Sequence, residues 1–186
     1  MTIKVITAPV FEPITLAEAK LHLRVDTTDD DALISALIVA AREEIERRSW
    51  HALMTQTLEL VLDEWPCDDE IVLPRPPLQS VTSFTYKDAS GTVNTWDPAH
   101  YVVGVDTVPA EIEPAYGKYW PATALHPVDA IRIRYVCGFA SASAVPQSLK
   151  QAMLLCMGRW YENREGEVPY VVDMLCQSFR HQVREF

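Results

Sequence analysis

The side chains in this sequence that could do chemistry are two acidic runs, a few histidines and four cysteines. The acidic runs are Asp29–Asp31 and Asp68–Glu70. Asp29–Asp31 lacks the glycine turn and the distal glutamate of a calcium loop, so we interpret it as the N-terminal cap of a helix. Asp68–Glu70 follows Pro66 and is typical of a turn rather than of a catalytic carboxylate pair.

The histidines and cysteines form no catalytic or metal-binding pattern. The five histidines are scattered and have no evident serine or cysteine partner. There is no Cys-x-x-Cys pair, and we expect free, mostly buried thiols at Cys67, Cys137, Cys156 and Cys176. No phosphate-binding loop, dinucleotide fingerprint, nucleophile elbow or zinc-protease motif is present. The sequence therefore predicts no catalytic residue, no cofactor and no metal, and favours a non-enzyme.

The charge distribution argues against a surface that binds nucleic acid. The 186 residues carry a formal net charge of −10. Residues 51–145 contain five basic and twelve acidic residues, whereas residues 146–186 contain five of each. Phosphate affinity comes mainly from clustered Lys and Arg, so the middle of the chain suits a surface that DNA slides past. The neutral C-terminal part is better suited to packing against protein.

The periodicity predicts four helices, at about 15–24, 30–49, 146–165 and 170–180. Thr15 and Glu18 form a capping box, and Pro146 suits the first turn of the third helix. That third helix is apolar over much of its circumference, which indicates cover on more than one side. Its end gathers Trp160, Tyr161 and Arg164, which either seal the base of a helical bundle or contact another subunit.

Between the second and third helices the period changes from helical to alternating. Several short strands between residues 54 and 136 predict a small antiparallel sandwich or open barrel. The fold class is therefore α+β: an α-helical bundle (1–50 plus 139–186) with an inserted antiparallel β-domain (51–138). The first fourteen residues, with Pro9 and Pro13, are interpreted as an extended lead-in.

Several motifs in a fixed order resemble the head–tail connector (adaptor) proteins of long-tailed, siphovirus-type bacteriophages, prophages and gene transfer agents. The third helix is entered through V-P-Q-S-L-K-Q-A and ends in W-Y-E-N-R-E. Similar segments occur along nearly the whole length of the chain, namely at 14–26, 30–34, 40–48, 74–81, 86–91, 101–103, 119–121, 131–139 and 145–152.

The resemblance implies a structural virion protein rather than an enzyme. Such a protein binds the portal after DNA packaging and forms a cyclic, twelve-fold ring that continues the DNA channel toward a stopper or tail-completion protein. DNA would pass without sequence-specific binding. The implied contacts with the portal or neighbouring subunits involve Trp160, Tyr161, Arg164, Tyr170, Leu175, Phe179 and Arg180.

Two other hypotheses remain open. The chain could be a neighbouring stopper or tail-completion protein of the same particle, or a small cytoplasmic enzyme that uses the acidic β-domain. No apolar run approaches eighteen residues and no signal peptide is evident, so we expect no membrane partner. The expected location is the virion, at the head–tail junction, after synthesis in the cytoplasm of a bacterial host.

Overall fold

The computed structural model describes residues 1–163 and 166–180 and is a mixed α+β structure. The chain divides into two compact units. The β unit comprises Met1–Ala8 and Thr55–Gly138. The helical unit comprises Pro9–Met54 and the described residues from Phe139 onward.

Four α-helices build the helical unit, and they confirm the predicted ones. They are α1 (Leu16–Leu23), α2 (Asp31–Ser49), α3 (Gln147–Glu162) and α4 (Tyr170–Arg180). The predicted end of α3 at residue 165 is wrong. Asn163 already has an extended backbone, and its N–H donates to the carbonyl of Arg159. The helix therefore stops at Glu162.

The residues at its two ends set the bounds of α1. The Thr15 side chain accepts a hydrogen bond from the Glu18 N–H, and the Glu18 carboxylate accepts one from the Thr15 N–H at 2.7 Å. Together they satisfy two donors that the first turn leaves free. Arg24 ends the helix in the left-handed conformation, with φ of 58°. Leu21, which the sequence offered for burial, is 81% exposed.

The core of the helical unit is formed by one face of each long helix. The residues on α2 recur at three- and four-residue spacing, as expected for a buried stripe. Fully or nearly fully buried side chains come from α2 (Ile34, Ile38, Ala41, Ile45), α3 (Leu149, Ala152, Met153, Cys156, Met157) and α4 (Val172, Cys176).

A buried ion network lies on α2, beside this core. The guanidinium of Arg42 donates to Glu12 at 2.9 Å and to Glu46 at 3.1 Å, and only 7% of the Arg42 side chain is exposed. The second oxygen of Glu46 accepts a hydrogen bond from the Leu53 N–H at 2.8 Å. Each carboxylate therefore has a positively polarised partner, as buried charges require.

The β unit contains two antiparallel sheets. The larger has the strand order β1-β2-β8-β4-β5, and the smaller has the order β3-β7-β6. The strands are β1 (Thr2–Thr7), β2 (Gln56–Leu62), β3 (Ile71–Leu73), β4 (Leu78–Lys87), β5 (Val93–Thr95), β6 (Tyr101–Gly104), β7 (Ala110–Pro114) and β8 (Ile131–Cys137).

Two of these strands correct the sequence interpretation. Strand β1 pairs with β2, so the first eight residues belong to the β unit and are not a lead-in to the helices. It is an edge strand with five of its six residues exposed, and it therefore lacks the alternation that reveals a half-buried strand. Strand β7 pairs with both β3 and β6. It begins directly after Pro109 and ends with Pro114, and prolines at both ends make a strand difficult to predict from sequence.

An aromatic cluster packs within the β unit. Phe84 is 1% exposed, and its ring meets Trp96 edge-on at 4.9 Å between centroids. Trp65 stacks on Trp120 at 5.1 Å with an interplanar angle of 14°. The buried indole N–H groups of Trp65 and Trp120 have no hydrogen-bond partner among the described residues. The cluster stabilises the unit through apolar area and ring geometry rather than through polar contacts.

Candidate protein interface

An apolar groove opens on the surface of the helical unit. It has a volume of about 560 Å³, and it is lined by Asp30, Leu33, Leu37 and Ala40 of the α2 segment and by Trp160 and Tyr161 of α3. Leu33 is 40% exposed, and Leu37, Trp160 and Tyr161 are half-buried. An accessible concave surface of this composition is typical of a site that receives an apolar partner.

Helix geometry explains why the groove lies next to the core. Leu33, Leu37 and Ala40 are spaced at i, i+4 and i+7, so they share one face of α2. This face adjoins the buried stripe that includes Ile34 and Ile38. Leu33 and Leu37 are apolar enough to suit the buried stripe, but the structure leaves both partly accessible.

One hydrogen bond joins the two walls of the groove. The phenolic O–H of Tyr161 donates to Asp30 Oδ2 at 2.5 Å. This hydrogen bond raises the pKa of Tyr161 above its ordinary value, because the deprotonated oxygen would face a carboxylate. Asp30 is the N-cap residue of α2, but its side chain makes no capping hydrogen bond, and its carboxylate positions an aromatic ring instead.

A second apolar surface, here called the α4 ridge, consists of Tyr170, Val171 and Met174. These side chains are 78%, 44% and 59% exposed, respectively. The opposite side of the helix carries Val172 and Cys176, which are buried. Helix α4 therefore has one apolar face in the core and a second that the described residues leave uncovered.

Two other predicted contact residues on α4 serve the core of the helical unit. Leu175 and Phe179 are half-buried against it. The Phe179 ring meets the His51 ring edge-on, with 5.5 Å between centroids. This packing does not test their predicted contacts with other proteins. Most of the surface of both side chains is, however, buried against the core of the helical unit.

The remaining predicted contact residues are arginines at the chain's C-terminal side. Arg180 is exposed at the end of α4. Arg164 lies outside the described residues. A third arginine, Arg48 of α2, was not predicted as a contact but binds α4, since it donates to both Asp173 and Glu44.

Two arginines of the β unit form a cross-strand ion network. Arg132 and Arg134 alternate with buried residues along β8, a pattern that by itself is typical of a solvated sheet face. Both donate to the Glu59 carboxylate, at 3.0 and 2.9 Å, and only 8% of the Glu59 side chain is exposed. The three residues form a cross-strand ion network because β2 pairs with β8.

Three carboxylates of the β unit lie close enough together to bind one cation. Carboxylate oxygens of Glu70, Glu111 and Glu113 all lie within 4.8 Å of one another. The strand pairing that joins Ile71 to Ile112 brings them together from distant parts of the sequence, so no local motif could reveal them. Oxygen ligands of this kind suit Mg²⁺ or Ca²⁺. The predicted absence of a metal stays a prediction.

The cysteines behave as small apolar residues. All four are free thiols; Cys137, Cys156 and Cys176 are buried, and Cys67 is exposed. Burial raises the pKa of Cys156 to about 12 and that of Cys176 to about 11, so both stay protonated and unreactive at neutral pH. Within residues 1–163 and 166–180, no helix is long and apolar enough to cross a membrane.

Comparison with known proteins finds the same family from sequence and from structure. The model of the phage gp6-like head-tail connector protein family matches residues 13–88. No curated protein matches the chain by sequence.

Solved structures of gene transfer agent (GTA) particles match the chain over its whole length. A chain in the neck of an empty GTA particle, computed with C6 symmetry, is 30% identical with a TM-score of 0.80. A chain in the neck of a native GTA particle, computed with C12 symmetry, is 29% identical with a TM-score of 0.79. A chain in the virion of a native GTA particle is 30% identical with a TM-score of 0.76.

Each of these three matches covers 100% of this chain and 98% of the other. The matches therefore include both the β unit and the helical unit. Together with the family match, it shows that the chain belongs to the phage gp6-like head–tail connector family.

Proposed function

We propose that this connector assembles into a closed twelve-membered ring at the head–tail junction of a phage-like particle. The observation that carries the proposal is the full-length match to neck chains whose structures were computed with C6 and C12 symmetry. The two symmetries are compatible, because a twelve-fold ring also has six-fold symmetry. The resulting assembly would be a structural part of the virion, with no catalytic step assigned to it.

The partners of the ring are the portal on one side and a stopper or tail-completion protein on the other. We assign the portal contact to the part of the C-terminal segment that follows α4. The sequence there contains arginine and aromatic residues, Arg184 and Phe186. Aromatic and arginine side chains dominate the energetics of protein interfaces.

The two compact units have separate roles in this proposal. The helical unit acts as the connector domain that contacts other proteins, and the β unit, built from Met1–Ala8 and Thr55–Gly138, forms the second domain. The acidic excess of residues 51–145 suits a surface near the channel, because carboxylates repel the DNA phosphates and let the duplex pass without binding.

Quantitative mass spectrometry on purified particles tests the ring. We expect a copy number for this chain that equals the copy number of the portal protein in the same particles. Complete particles that lack the chain would reject the proposal. A copy number equal to that of a major capsid or tail-tube protein would reject a ring at a single vertex.

A truncation tests the portal contact. Deleting residues 181–186 leaves α4 intact, so we expect a folded protein whose binding to purified portal rings is lost. The matched control replaces Val102, which is exposed on β6, with Ala and should bind the portal as the parent chain does. Undiminished portal binding by the truncated chain would place the contact elsewhere.

A further inference from the structure

A closed ring of identical subunits needs two different surfaces on each subunit that complement each other. The contact is head-to-tail, so the surface on one side of a subunit meets a different surface of the next copy. The described residues of the helical unit form two apolar surfaces of opposite shape that no other described residue covers. One is the concave groove lined by Leu33, Leu37 and Trp160, and the other is the convex α4 ridge.

We propose that the α4 ridge of one subunit occupies the groove of the next copy of this chain. The proposal rests on the proposed ring and names the surfaces that would close it. The groove offers apolar walls and about 560 Å³ of space, and the ridge offers three large exposed side chains. Burying exposed apolar groups against each other is the main favourable term in such a contact.

The α4 ridge is shorter than the groove and fits within it. The α2 side of the groove runs from Asp30 to Ala40, which is ten residue steps or about 15 Å, whereas the ridge from Tyr170 to Met174 spans four steps or about 6 Å. The later turns of α4, up to Arg180, would extend along the remaining length of the groove.

Charged residues at the helix ends favour an antiparallel arrangement of α4 and the α2 of the next subunit. Asp29 and Asp30 lie at the start of α2, and Arg180 is exposed at the end of α4. An antiparallel arrangement brings Arg180 to these carboxylates and Tyr170 to Ala40. The small Ala40 side chain leaves room for the Tyr170 ring, and Met174 then lies near Leu37.

Cysteine cross-linking between two singly substituted variants tests the contact directly. Both carry Cys67→Ser, which removes the exposed native thiol. One also carries Leu37→Cys and the other Met174→Cys, so a disulfide between the two new thiols joins different subunits. After assembly of a mixture of the two, we expect the mixed disulfide as the main cross-linked product. The control pairs Met174→Cys with Val102→Cys and should give no mixed product.

The ring itself is measured first, by native mass spectrometry of the mixed subunits with and without portal. A ring without the Leu37–Met174 disulfide overturns this inference and leaves the proposed function intact. Cross-linking of Met174→Cys to the portal instead of to a second subunit overturns it as well. A chain that forms no ring and is absent from particles overturns both the inference and the proposed function.

Substitution of the ridge provides the second test. Met174→Glu places a charge into the apolar groove, so we expect the affinity between subunits to fall at least about tenfold. Val102→Glu is the matched control and should leave that affinity unchanged. Equal ring formation by both variants, each shown to be folded, overturns the inference.

Discussion

Tyr161 donates its phenolic hydrogen to Asp30 at 2.5 Å, across 131 residues of sequence. The contact joins the end of α3 to the start of α2 and fixes the orientation of one aromatic wall of the groove. A side chain held in this way is pre-organised for a partner, because less rotamer entropy is lost on binding. The hydrogen bond therefore links the fold of the helical unit to its proposed contact surface.

Tyr161→Phe should separate the role of this hydrogen bond in the fold from its role in subunit association. The variant keeps the ring and its packing but loses the hydrogen bond to Asp30, so we expect a folded protein with weaker subunit association. Circular dichroism and native mass spectrometry measure the two properties. Leu21→Ala removes a side chain that is 81% exposed and serves as the control. Unchanged association in Tyr161→Phe would mean that the bond serves the fold alone.

Arg42→Met should destabilise the helical unit strongly. The substitution leaves the Glu12 and Glu46 carboxylates beside a core without their cation, which costs about 3–5 kcal/mol. Urea unfolding measures the change in the free energy of unfolding. Arg47→Met is the matched control, since the Arg47 side chain is 63% exposed and its ion pair with Glu44 contributes less than about 1 kcal/mol. Similar losses of stability in both variants would contradict the buried ion network around Arg42.

Glu44 should contribute to the acid sensitivity of the fold. The hydrogen bond from Arg47 lowers the pKa of Glu44 below its ordinary value of 4.5, and Arg48 lowers it further. A carboxyl group whose pKa is lowered by folding stabilises the protein above its unfolded pKa, and this contribution is lost as the pH falls through the folded value.

Urea unfolding of the parent chain and of Glu44→Gln measures this contribution. The difference in the free energy of unfolding should be present at pH 7 and should shrink as the pH falls below 4.5. A constant difference across that range would show that the substitution acts through packing alone. The opposite trend is expected for Glu12, because burial raises its pKa and the protonated form favours the folded state.

The sequence predicted the helices well because their boundaries carry local chemistry. Thr15 and Glu18 form the expected capping box, and α3 begins directly after Pro146. It did not distinguish the core face of α2 from the groove face beside it. Leu33 and Leu37 are as apolar as Ile34 and Ile38, and periodicity alone cannot say where a neighbouring helix stops covering them.

The features that sequence reasoning missed depend on pairing between distant segments. Strand β1 is visible only through its register with β2, from Thr2 opposite Val61 onward. The carboxylates of Glu70 and Glu111 meet only because β3 pairs with β7. Helix α4 also has two faces that the sequence did not separate, since it contributes buried residues to the core as well as an exposed ridge.

Two adjacent valines on α4 distinguish its core face from its ridge. Val172 is 0% exposed, whereas Val171 is 44% exposed. Val172→Asp buries an unpaired carboxylate and should destabilise the fold by about 3–5 kcal/mol. Val171→Asp places the same group in solvent, so we expect the free energy of unfolding to change by less than about 0.5 kcal/mol.

Val171→Asp should impair ring formation without changing the stability of the fold, whereas Val172→Asp should act through the fold. Val171→Asp should give a folded chain that fails to associate, because the new charge would have to enter the apolar groove of the next subunit. Urea unfolding and native mass spectrometry of each variant measure the two effects. If Val171→Asp assembles normally, the ridge does not contact another subunit. If Val172→Asp is as stable as the parent chain, α4 is not part of the core, and the whole segment is free to act as a docking arm.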